Sequence, residues 1–473
     1  MRTSATVLLA GVLVATCASA AGAGLASRAT RHEVVLTHQP QLFLDDDVIG
    51  STVNLKRAMR VAVRYEHNPV LPVDRPWEAA GVTHPCVLYD SEAKLFRMYY
   101  TAYATRAGAS GAGALACYAE STDGFTWRKP ELDIQPFGDS ATSNILFGSE
   151  PEVLFLHVTM TPHDPDRMFK AVFTRRNPPG QRGVGGLFTT FCTDGIHWTK
   201  PRCISRTKCD TMPSVVWYPP VGRYLIYTRA QAAHPQIPGH MRMTGILEST
   251  DFERWTAKQA VNLLTEADGW PRAQVHDIQA HVYGDVLLGL VGMLHLPQGA
   301  KTGSNKGARW DVELATSRDG WRWQRIGHGG FFGRSLAVRG DTFYLYHDDK
   351  AGTLAADRLV ALQLVDGRRQ GILDTRPVRF AGRELLVNGD VEAGDLKVEL
   401  IDEKGPHVQF QSKPLRGFER DRSRLIRHDK LRWRVRWKAD GKPRSLADAS
   451  PHQPFVLRFI LNRGSLFAFQ VLE

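Results

Sequence analysis

The chain has 473 residues, 43% of them apolar and 23% charged. That balance suits two or three globular domains and excludes disordered, collagen-like and multi-span membrane chains. Lys and Arg exceed Asp and Glu by 60 to 49, a net charge of +11. The excess suits acidic partners such as anionic polysaccharide or cell envelope, although a secreted protein can be basic for no specific reason. The 42 Gly, 26 Pro, 11 Trp and 21 Phe favour short strands and turns over long helices.

Residues 1–23 read as a signal peptide. Arg2 supplies the positive end, Ala5–Ala15 is mostly apolar, and Ala18–Ala20 or Ala21–Ala23 would suit a signal peptidase. The apolar run is short for a membrane span, so the expected location is secreted or periplasmic, with no stable membrane insertion. An uncut N-terminal anchor is the alternative. After cleavage Cys86, Cys117, Cys192, Cys203 and Cys209 remain, an odd number that leaves at least one free thiol. Their spacing makes no zinc site. No cofactor and no metal are expected.

One phrase then recurs along the chain. Ser121–Trp127, Thr193–Trp198, Ser249–Trp255 and Ser317–Trp323 each place an Asp early and a Trp four residues later, usually with Gly after the Asp. The Asp can accept backbone N–H groups of a tight turn, and Gly takes a positive φ. A run rich in aromatic and branched residues precedes each turn: Leu95–Thr101, Arg167–Thr174, Arg223–Arg229 and Val286–Gly292. One such hairpin per four-stranded blade predicts a β-propeller. Residues 331–380 supply a fifth blade, with strands at 335–338, 342–346 and 359–364, and Gln41–Ile49 is the candidate for the strand that closes the ring. A β-sandwich with recurrent hairpins is the alternative. Asp123, Asp194, Asp251 and Asp319 repeat with the blade and are read as structural.

The repeat stops near residue 382. Asp395–Ile401, Leu431–Lys438, Phe455–Leu461 and Leu466–Val471 are strand-like and predict a small β-sandwich over 383–473. Arg432, Arg434, Arg436 and Lys438 share one face, read as a solvated sheet face or a polyanion site. Without aromatic platforms beside these cations, nucleic acid is not expected. The predicted fold class is thus all-β, a five-bladed propeller over 33–382 followed by the sandwich.

Leu42–Asp46, Pro85–Asp90 with Phe96–Tyr100, His163–Val172 and Thr193–Trp198 carry a resemblance. The segments Leu385–Asn388 and Phe467–Phe469 add to it. Together they resemble secreted, glycosidase-like five-bladed propellers with a C-terminal β-sandwich, of the planctomycete type, similar to the superfamily of invertases and arabinanases. The resemblance implies acidic residues at the mouth of the central funnel, near the starts of innermost strands. Glycoside hydrolysis needs two carboxyl groups flanking the scissile bond, one of them kept protonated. The candidates are Asp210, Asp277 and Glu152. Where the superfamily often has Asp-Pro, this chain has Thr83-His84-Pro85, a departure that puts the first carboxylate in doubt. His84, His276, Trp270, Trp217 and Arg229 are the substrate-binding candidates, the two histidines for sugar hydroxyls or a central cation. The expected function is hydrolysis of a neutral or anionic poly- or oligosaccharide by a single copy of the chain. The alternative is a carbohydrate-binding propeller that has lost its carboxylates. Sialidase is disfavoured, because Asp123-Gly124 and Asp319-Gly320 lack the residue that an Asp box places between Asp and Gly.

Overall fold

The computed structural model describes residues 33–104, 113–148, 153–175, 185–206, 212–233, 240–261, 263, 272–300, 306–327, 333–402, 413–449 and 454–473. These residues form strands joined by turns and short 3-10 segments. None of their helices is long and apolar enough to cross a membrane. The expected signal peptide lies outside the described residues.

Four sheets are local in sequence, each of four strands. The first runs Val82–Asp90, Leu95–Tyr103, Ala114–Ser121 and Ile145–Phe147. The second runs Leu154–Met160, Phe169–Arg175, Gly186–Cys192 and Arg202–Ser205. The third runs Ser214–Tyr218, Arg223–Ala233, His240–Ser249 and Gln259–Val261. The fourth runs Ala273–Tyr283, Val286–His295, Arg309–Ser317 and Gln324–Gly327. The fifth takes Ser335–Arg339, Thr342–His347 and Lys350–Ala355 and borrows its outer strand, Val63–Arg64, from far upstream.

The recurring phrase sits where the third strand of each local sheet ends. Asp123 Oδ1 accepts the N–H groups of Phe125 and Thr126 at 2.8 and 2.7 Å. Asp194, Asp251 and Asp319 repeat the arrangement, each accepting two backbone N–H groups at 2.7–2.9 Å. Three of the turns also dock sideways. Tyr346 donates its hydroxyl to Gly124 O, Tyr99 to Gly195 O and Tyr227 to Gly320 O, so turns of the first, second and fourth sheets are pinned to the sheet before. The structural reading of the four aspartates stands on these bonds.

Both faces of every local sheet are apolar, and each face packs on a neighbour. Val87 and Met98 share a core with Ala337 and Tyr346 of the fifth sheet. Tyr99 and Tyr118 pack with Val158 and Phe173 of the second. Val172 and Leu187 pack with Val215 and Ile226 of the third. Val216 and Tyr227 pack with Ile278 and Leu287 of the fourth. Leu288 and Leu290 pack with Leu336 and Phe343 of the fifth. The contacts return to their starting sheet, the arrangement of a β-propeller, and radial closure leaves only short edges.

Two further sheets of six strands enclose a separate core that includes Phe43, Leu373, Val398, Trp437, Phe459 and Phe469. They collect strands from both ends of the chain. Ile49–Val53 pairs with Gly371–Thr375, and Leu55–Met59 pairs with Val360–Leu364. This corrects two expectations. Gln41–Leu42 pairs with Ser465–Leu472 in the sandwich, and the ring is closed by Val63–Arg64 instead. Val360–Leu364 likewise belongs to the sandwich, so strand pairing puts 33–59 and 360–382 there, not with the propeller as the 33–382 boundary had it.

The basic face is also not a free one. Arg432 pairs with Asp357 and Asp341, while Arg434 and Arg436 share Glu384. The expected strand 431–438 breaks into Asp429–Arg434 and Trp437–Ala439. Cys86, Cys117, Cys192 and Cys203 are free thiols, and burial pushes Cys86 and Cys192 up to about 12. Cys209 lies outside the described residues.

Candidate functional site

The innermost strands of the first, second and fourth sheets share a local fault. Their registers slip between Thr83 and Cys86, between Leu154 and His157, and between Val275 and Asp277. A β-bulge releases a residue from the ladder and re-aims its side chain. Here the released residues include His84, Phe155 and His276. His84 and Phe155 take positive φ values of 56° and 58°, a conformation costly for non-glycine residues and concentrated at functional sites. Their rings meet edge-on at 4.6 Å, and the His276 ring meets Trp310 edge-on at 4.7 Å.

A pocket of about 490 Å³ opens beside these bulges. The first sheet contributes Thr83 and His84, the fourth contributes His276, Trp310 and Asp311, and the fifth contributes Arg334, His347, Asp348 and Arg64. Trp310 keeps 46% of its surface exposed. Asp348 accepts the Thr83 hydroxyl and, at 3.4 Å, the His84 backbone N–H. Burial works to raise the Asp348 pKa, but the Thr83 bond and the neighbouring histidines overcome it and lower it. Burial, with the Arg334 charge second, lowers His84 to about 4. Its ring is neutral at pH 7, and Nδ1 is buried without a hydrogen-bond partner among the described residues.

Asp277 anchors the back of the pocket. Its side chain is fully buried, Oδ2 accepts His276 Nδ1 at 2.5 Å, and the Arg334 guanidinium donates to the same oxygen. Burial works to raise its pKa, yet the Arg334 charge and the His276 bond reverse the shift and hold it ionised. Gly292, opposite Asp277 in the sheet, leaves the space: a Cβ there would lie 3.0 Å from Oδ2 and collide with the guanidinium. His295, Asp311 and Glu313 form a mixed cluster of possible metal ligands. Arg309 and Arg325 already sit on its carboxylates at 3.0 and 2.6 Å, so it is built as an ion-pair network.

The expected site residues divide accordingly. His84 and His276 border the pocket. Asp277, expected as a carboxylate acting on substrate, is not among the residues that line the pocket: its side chain is fully buried and paired with His276 and Arg334. Arg229 is buried in the third sheet, near enough that its charge disfavours protonated His276. Trp217 is corrected: it packs on His163 and Tyr224 at 4.5 and 4.7 Å beside the Pro219–Val221 turn, in the core of the second and third sheets. Asp210, Glu152 and Trp270 lie outside the described residues. Sequence reasoning missed Trp310, Arg334, His347, Asp348 and Arg64. Asp348 looked like any turn residue in His347–Lys350, and nothing local to Arg334 signals a partner 57 residues earlier.

No protein-family model matches the chain, and no curated protein matches it. Among solved structures it is similar to a glycosyl hydrolase from Bacteroides ovatus, at 16% identity over 63% of this chain and 93% of that one, with a TM-score of 0.44. It is also similar to a member of the GH130 family of mannoside phosphorylases, which contains glycoside hydrolases that target β-1,2 mannosidic linkages in Candida mannan. There the identity is 16% over 64% and 97% of the two chains, with a TM-score of 0.43. A protein of unknown function from Dyadobacter fermentans covers 88% of this chain and 99% of its own at 11% identity, with a TM-score of 0.40.

Proposed function

We propose that the chain is a secreted carbohydrate-active protein that takes a poly- or oligosaccharide into the bulge-lined pocket and hydrolyses a glycosidic bond there. The observation that carries the reading is Trp310, whose half-exposed indole stands in a recess lined mostly by imidazole, guanidinium and carboxylate groups, with Thr83 and Val312. An indole face stacks on the apolar face of a sugar ring, while the polar groups around it take hydroxyls. Asp348 and Asp311 are the carboxylates that border this pocket, and Asp210 and Glu152 remain proposed partners for the acid and base work.

A second reading, carbohydrate binding without turnover, is favoured by one observation. Asp277 and Asp348 are both held toward the ionised form, whereas hydrolysis calls for one carboxyl that stays protonated. The test is a panel of neutral and uronate-containing polysaccharides, read for new reducing ends and for binding. Under the hydrolytic reading wild type releases reducing ends, Trp310→Ala weakens binding about tenfold, and Asp348→Asn lowers turnover about 10²-fold or more. Binding without release selects the second reading. A panel that shows neither sinks both.

A further inference from the structure

The bulge at His276 does more than expose a ring. It turns two consecutive residues, which an unbroken strand would send to opposite faces, toward each other, so that His276 Nδ1 and Asp277 Oδ2 meet at 2.5 Å. The imidazole is thereby fixed at one nitrogen by a carboxylate with no solvent access. A carboxylate held ionised can only accept, so Nδ1 carries the proton and Nε2 keeps a lone pair. Nε2 has no hydrogen-bond partner among the described residues. The 18% of the side chain that remains exposed belongs to a ring bordering the pocket. Arg334, on the same carboxylate oxygen, keeps Asp277 charged, and Gly292 provides the room for the pair.

We propose that His276 is the pocket's proton acceptor and that Asp277 is its positioning residue. The inference rests on the carbohydrate reading for its substrate, but the dyad itself does not. In glycoside hydrolysis Nε2 takes a proton from a bound water. The freed O–H electron pair forms the new bond to the anomeric carbon, and the old glycosidic C–O pair leaves with the departing oxygen. The imidazolium returns its proton to that oxygen, so one water is added across the bond and the ring ends neutral. Asp277 stabilises the imidazolium in between, as a buried carboxylate behind a histidine does in other acid–base sites.

The charged and titratable groups around the ring are consistent with this role. Burial first, then the charges of Arg334 and Arg229, lower the His276 pKa; Asp277 opposes them. His84, across the pocket, is neutral as well. The ring is therefore in its proton-accepting form at pH 7.

Long-range ¹H–¹⁵N spectra of the ¹⁵N-histidine-labelled full chain test the dyad without any ligand. The expected signature is an Nδ1–H tautomer titrating below the ordinary histidine range, with a mixed tautomer and a still lower midpoint in Asp277→Asn. An Nε2–H tautomer in the wild type, or spectra unmoved by Asp277→Asn, would overturn the proposal. Should Asp277→Asn fail to fold, His276→Gln leaves the Asp277–Arg334 pair in place. On a saccharide that the wild type turns over, His276→Gln lowers kcat about 10²–10⁴-fold with KM little changed and removes the acid limb of the pH profile. An unaltered limb refutes the assignment. If no saccharide is cleaved the hydrolytic reading fails, while the spectra still decide the dyad.

Discussion

Lys129, just past the first acidic turn, keeps 3% of its side chain exposed, its ammonium donating to Glu78, Asp74 and the Pro72 carbonyl, each at 2.7 Å. Glu78 is fully buried and also accepts the Tyr100 hydroxyl at 2.6 Å. Taking away one member of a buried pair leaves the other desolvated and uncompensated, a loss of about 3–5 kcal/mol. Lys129→Ala is therefore expected to lower unfolding free energy by that amount in urea titrations, and a change below about 1 kcal/mol would contradict it. At the site, Gly292→Ala should displace the Arg334 guanidinium from Asp277 at a cost of about 1–3 kcal/mol, read as a lower Tm. Asp277 was a candidate through the resemblance, which puts acidic residues near strand starts. Its pairing was not legible, because the partner Arg334 and the space over Gly292 exist only once separate strands lie side by side.

At the scale of the element, the repeated turn is stabilised by a carboxylate oxygen that collects two N–H groups. The pKa of Asp123 falls to about 2, because the Thr126 and Phe125 N–H bonds outweigh the burial that would raise it. Asp251 falls to about 2 through the Arg254 and Glu253 N–H bonds. A folded-state pKa below the ordinary 3.8 means stability that is present above that value and lost as pH falls through about 2. Asp123→Asn keeps an acceptor oxygen but cannot titrate. It is expected to flatten the pH dependence of Tm between pH 4 and 2, whereas Asp123→Ala should cost about 1–3 kcal/mol at pH 7. An Asn variant with the wild-type slope would show that the acid loss arises elsewhere. The turn was readable because its chemistry spans six residues. The third copy departs from it: Phe252 stands where the others have Gly, takes φ 65°, and is accommodated by burying its ring against Tyr224 and Trp255.

At the scale of the whole molecule, the segment 33–65 ties both parts together. It supplies strands to both sandwich sheets and then the outer strand of the fifth propeller sheet, where Tyr65 N–H also bonds Ala351 O at 3.0 Å. A chain starting at residue 66 would open the ring and strip the sandwich core at once. A piece spanning 383–473 would lack the strands at 360–364 and 371–375 that flank its own central ones. Neither is expected to melt cooperatively by circular dichroism, and a sharp transition from the 383–473 piece would show that its core closes without the borrowed strands.

By itself the sequence determined what is decided within a few residues: the acidic turns, the strand runs before them, and hence an all-β chain of repeated hairpins. Those features follow from local hydrogen bonding and side-chain periodicity, which neighbours in the chain settle alone. Only the tertiary structure decided which distant strand closes the fifth sheet, where the sandwich begins, and which side chains border the pocket. Those outcomes depend on pairing between segments up to several hundred residues apart and on bulges whose register is set by the partner strand. No window of the sequence contains both halves of such a contact.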